Sequence, residues 1–61
     1  MNPEKEIWNV VGKYFDYDPV KVGLWYGLSN PMLGGVSPNH MIRSGKIDNL
    51  LAFVRSAAEE L

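Results

Sequence analysis

Apolar residues recur at helical spacing over much of this chain, and polar residues that favour helix starts stand at the breaks. Ile7, Val10, Val11, Tyr14 and Phe15 fall at i, i+3, i+4, i+7 and i+8, which predicts one apolar face on a helix over residues 3–15. Glu4 and Glu6 lie in its first turns, where the helix dipole favours negative charge. Asp16-Tyr17-Asp18 ends it. A second helix over about residues 19–28 places Val20, Leu24 and Leu28 on one stripe, with Trp25 beside them. Gly23 and Gly27, four apart, weaken that helix alone but let another backbone come close.

Residues 29–36 show no period and read as a turn-rich link around Asn30-Pro31 and Gly34-Gly35. A short helix over about residues 38–43 follows, with Gly45 as its C-terminal cap. The last helix starts near Lys46 and runs to the end, with Ile47, Leu50, Leu51, Val54, Ala58 and Leu61 on one face. Each of the four prolines follows Asn, Asp or Ser. Proline at the first helical position gives up an amide that has no partner there, and the preceding side chain can accept a first-turn amide. Asn2, Asp18 and Ser37 are the expected caps, whereas Asn30-Pro31 leads only to Met-Leu-Gly-Gly and reads as a turn. With no sustained alternation to make a strand, the expectation is an all-α bundle of about four helices around a central Asn-Pro-Met-Leu-Gly-Gly loop, one domain over residues 1–61.

Composition narrows the function. Sixty-one residues with no cysteine exclude disulfide staples and thiolate metal sites. Six basic residues, scattered among seven acidic ones, argue against phosphate-driven nucleic-acid binding. A helix-turn-helix reading of residues 37–43 offers Asn39, His40 and Arg43 but little positive charge. No apolar run approaches membrane-spanning length and the N-terminus lacks a signal-peptide layout, so a soluble cytoplasmic protein is expected. His40, the single histidine, has no evident nucleophile or metal partner, and Gly34-Gly35 lacks the lysine and preceding strand of a phosphate loop. No catalytic residue, cofactor or metal is expected.

Seven aromatic residues are more than so small a core can use. Trp8, Tyr17 and Tyr26 lie off the main stripes and are candidates for a protein interface. Core burial at about 25 cal/mol per Å² roughly cancels an ordering cost of about 1.5 kcal/mol per residue, so a homo-oligomer, in the simplest case a homodimer, is expected as well.

The block Trp25-Tyr26-Gly27-Leu28-Ser29-Asn30-Pro31-Met32-Leu33-Gly34-Gly35-Val36-Ser37-Pro38, followed by Met41-Ile42-Arg43-Ser44-Gly45-Lys46, resembles the C-terminal toxin-binding domain of Xre/MbcA/ParS-type antitoxins. The resemblance covers about residues 20–57. It implies an α-helical module that packs against a partner, typically a RES-domain toxin that consumes NAD, and blocks its active site. It places Trp25, Met41, Ile42 and Leu50 in the core. It makes Asn30, Met32, Leu33, Gly34 and Gly35 of the loop, Arg43, Lys46, Arg55 and the C-terminal Leu61 the candidate partner contacts. One helix stands here in place of the helix-turn-helix domain such antitoxins carry, so autorepression is not expected. Asn39 and His40 replace the apolar and acidic residues common at those positions. An adaptor of phage or mobile-element origin that binds a host protein is the alternative reading.

Overall fold

The computed structural model describes residues 2–59. Four helices follow one another: α1 (Pro3–Tyr14), α2 (Pro19–Gly27), α3 (Pro38–Arg43) and α4 (Ile47–Glu59). The helix starts follow from side-chain chemistry within one turn. Asn2 accepts the amides of Glu4 and Lys5 at 3.0 and 3.4 Å, Asp18 those of Val20 and Lys21 at 3.0 and 3.3 Å, and the Ser37 hydroxyl that of His40 at 3.1 Å. Asn30-Pro31, read as a turn, uses the same device: Asn30 caps a single 3-10 turn, Pro31–Leu33.

The ends of α1 and α3 share one geometry. Lys46 donates its amide to the Met41 carbonyl and Gly45 to that of Ile42, a Schellman pair in which Gly45 supplies the left-handed backbone. At the end of α1, Tyr17 donates to the Gly12 carbonyl at 2.6 Å and Asp16 to that of Lys13 at 3.3 Å, but no glycine stands at the left-handed positions. Asp16 and Tyr17 themselves take φ of 53° and 58°.

α1 packs along α4, and α3 touches both α2 and α4. Ile7, Val11, Val22, Met41, Leu50 and Val54 form the buried apolar core, with Pro38 buried beside them. The Cα radius of gyration, 10.7 Å, matches the roughly 10.5 Å expected of a folded chain of this length. Of the expected core residues, Met41 and Leu50 are buried, while Trp25 and Ile42 are half-buried against them.

Three stripe assignments are corrected. Val20, Leu24 and Leu28 face outward, more than half exposed, and the buried residue of α2 is Val22, with Trp25 and Tyr26 flanking the core. Lys21 is the helix's one charged residue, so periodicity carried no information about which apolar side would be covered. Tyr14 and Ala58 lie on the predicted faces of their helices but are exposed, because among the described residues no element covers the C-terminal turns of α1 and α4. Leu61, assigned to the last apolar face, lies outside the described residues.

Candidate partner-binding surface

The residues from Asn30 to Val36 form a loop built on one side chain and its backbone. Asn30 donates its amide to the Val36 carbonyl at 2.9 Å, and its own carbonyl accepts the amides of Leu33 at 2.9 Å and Gly35 at 3.1 Å. Its side-chain oxygen accepts the Met32 amide at 2.9 Å. Four hydrogen bonds therefore converge on Asn30, and Gly34 and Gly35 take the positive φ values that close the loop. Leu33 turns toward the core, whereas Met32 stands at the tip, 75% exposed. Within the loop, Asn30, Gly34 and Gly35 set the backbone and Met32 presents the free side chain.

The other candidate contacts are not gathered there. Arg43 and Lys46 are exposed at the far end of α3, whose six residues separate them from the loop by about 9 Å of helix. Arg55 sits on α4 and is engaged internally. Its Nε and Nη2 donate to the two carboxylate oxygens of Glu6 on α1 at 2.5 and 2.8 Å. That hydrogen-bonded guanidinium holds the Glu6 carboxyl below its usual range and pushes Arg55 up. Leu61 lies outside the described residues.

The remaining surface is more apolar than the sequence suggested. The outward side of α2 and its C-cap form a ridge of Val20, Leu24 and the cap residue Leu28, with the exposed Lys21 beside Leu24, and space is open above Gly23 and Gly27. Beside it lies a groove of 930 Å³ whose floor and walls are Val11, Phe15 and Tyr14 of the α1 end, Trp25 of α2, and Phe53 and Ala57 of α4. Lys13 is its one charged lining residue. On another side Trp8 and Tyr17, each half exposed, pack at a centroid distance of 5.7 Å. Tyr26, the third off-stripe aromatic, is half-buried with its ring edge-on to Trp25, and burial together with the nearby Glu4 raises its hydroxyl pKa.

Chemical groups do not converge to match. His40 is exposed, its amide and carbonyl serving the caps of α3. Among the described residues no three His, Asp or Glu side chains gather where they could hold a metal ion, and no helix is long and apolar enough to cross a membrane. Sequence reasoning missed the α2 ridge as surface. The usable signal was a helix apolar nearly all round, since such a helix needs cover on every side and so small a chain cannot supply it. No family model, curated protein or solved structure matches the chain.

Proposed function

We propose that the chain is a small α-helical protein-binding module that works by covering a functional surface of its partner, with a RES-domain toxin as the leading partner. The observation that supports this is the Asn30 loop. Its backbone is held by several hydrogen bonds, yet its tip offers an exposed methionine. A rigid backbone lowers the ordering cost of binding, and a thioether side chain adapts to an irregular apolar pocket. The antitoxin resemblance, carried by the same residues, supplies the choice of partner and the occlusion mechanism.

The test is co-expression with a RES-domain enzyme, reading cellular NAD. The wild-type chain should preserve NAD and co-purify with the enzyme. Met32→Asp should lose about 2 kcal/mol of binding, typical of a central apolar anchor made polar, and with it the protection. Asn30→Ala should lose protection too, by freeing the loop. If the wild-type chain leaves NAD consumption unchanged at stoichiometric binding, occlusion is wrong. Failure to bind any such enzyme, with stable capture of a different protein through Met32, would replace this reading with the adaptor one.

A further inference from the structure

We propose that Met32 is a reversible oxidation site, where hydrogen peroxide converts the thioether to the sulfoxide while the fold stays intact. Two methionines lie among the described residues, and the fold treats them oppositely. Met41 is a core residue of α3, 8% exposed, whereas Met32 stands 75% exposed at the tip of the Asn30 loop. Access of the oxidant to the sulfur governs this chemistry, so the two react at very different rates in one solution.

The step is a two-electron oxidation. The Met32 sulfur takes one oxygen of the peroxide, an S–O bond forms as the O–O bond breaks, and the second oxygen leaves as water with both hydrogens. Sulfur is oxidised and peroxide reduced. A methionine sulfoxide reductase reverses the change, oxidising two thiols to a disulfide and releasing the sulfoxide oxygen as water.

The loop tolerates the product. Its hydrogen bonds run from the amides of Asn30, Met32, Leu33 and Gly35 to the Val36 carbonyl and to Asn30, so an oxygen added to the Met32 side chain competes with none of them. At Met41 the same oxygen would enter a core of six buried apolar side chains, where a polar group without a partner is costly. Burial of Met41 therefore confines the reaction to the methionine whose modification leaves the helices packed. The consequence for binding rests on the reading of Met32 as the partner anchor. Sulfoxidation replaces an adaptable apolar side chain with a polar one, which releases the partner without unfolding the module, and reduction restores the block.

Timed exposure of the full chain to hydrogen peroxide, read by peptide mass spectrometry and circular dichroism, tests the site. Met32 should oxidise at least about tenfold faster than Met41 in the folded chain, and the two should react alike in denaturant. Helical content should be unchanged at full Met32 conversion, and reductases for both sulfoxide epimers should return the original mass. Equal rates in the folded chain, loss of helix in step with Met32 conversion, or a sulfoxide that resists the reductases overturns the proposal. After peroxide is removed, the oxidised chain should bind a RES-domain enzyme about tenfold more weakly or worse than the untreated chain. Met32→Leu should bind equally before and after treatment. Unchanged affinity at full conversion overturns the switch. An untreated chain that does not bind the enzyme removes the toxin-binding reading, while oxidation rates and helical content still decide the site, so the two failures are distinguishable.

Discussion

Gly12 and Tyr17 show how one residue without a side chain sets the shape of a helix end. A Cβ built on Gly12 would sit 2.7 Å from Cδ1 and Cε1 of Tyr17, so the ring lies where only glycine leaves room. The ring reaches that place because Asp16 and Tyr17 both adopt left-handed backbone, a conformation costing about 1–2 kcal/mol for each non-glycine residue. Packing on Gly12 and Trp8 offsets part of that cost. In a Tyr17→Ala background, Gly12→Ala should therefore stabilise α1 by about 1 kcal/mol through helix propensity alone. In the wild-type chain the same substitution should gain nothing or lose stability, because the ring must move off Trp8. Thermal melts of the four variants, with tryptophan fluorescence reporting the ring, give the coupling. Equal effects in both backgrounds would remove Gly12 from this role.

At the scale of elements, α1 and α4 are joined across their solvent edge by Glu6 and Arg55, 49 residues apart. The folded chain holds the Glu6 carboxyl below its usual value of 4.5. The pair's contribution is therefore present above that value and disappears as pH falls through the lowered one. The advantage of the wild type over Glu6→Gln in melting temperature should be constant from neutral pH down to about 5 and shrink below about 4.5. Because both side chains reach solvent, high salt should reduce it as well. A difference that does not vary with pH would show that the substitution acts through packing. Resemblance assigned Arg55 to a partner, and this ion pair gives it an internal task that the spacing along the chain could not reveal.

The whole molecule rests on very few fully buried side chains, of which Ile7 and Leu50 are the largest apolar ones. Truncating a buried leucine to alanine costs about 2–5 kcal/mol, and a core of this size supplies only about 3–5 kcal/mol in total. Leu50→Ala should thus leave much of the chain unfolded at 25 °C, while Leu28→Ala, on the exposed ridge, should leave the monomer's helical content unchanged. Circular dichroism at low micromolar concentration separates the two, and equal tolerance of both would mean the core lies elsewhere.

Helix boundaries were readable along the chain because their causes are local. A cap is a side-chain oxygen and an amide two or three residues away, so Asn2, Asp18 and Ser37 announced α1, α2 and α3, and Gly45 the end of α3. The same locality made the all-α class legible. Burial is not local. α2 is apolar on nearly every side, and packing of Val22 toward the core, not any period, turned Val20, Leu24 and Leu28 outward. Tyr14 and Ala58 carried the right spacing but sit where no element among the described residues covers them. The Glu6–Arg55 pair and the groove bring together side chains from distant parts of the sequence, and their existence depends on how α1 and α4 cross. Local hydrogen bonding, settled within a turn, thus belonged to the sequence, while the choice of which apolar surface to bury and which to leave open arose only when the helices packed.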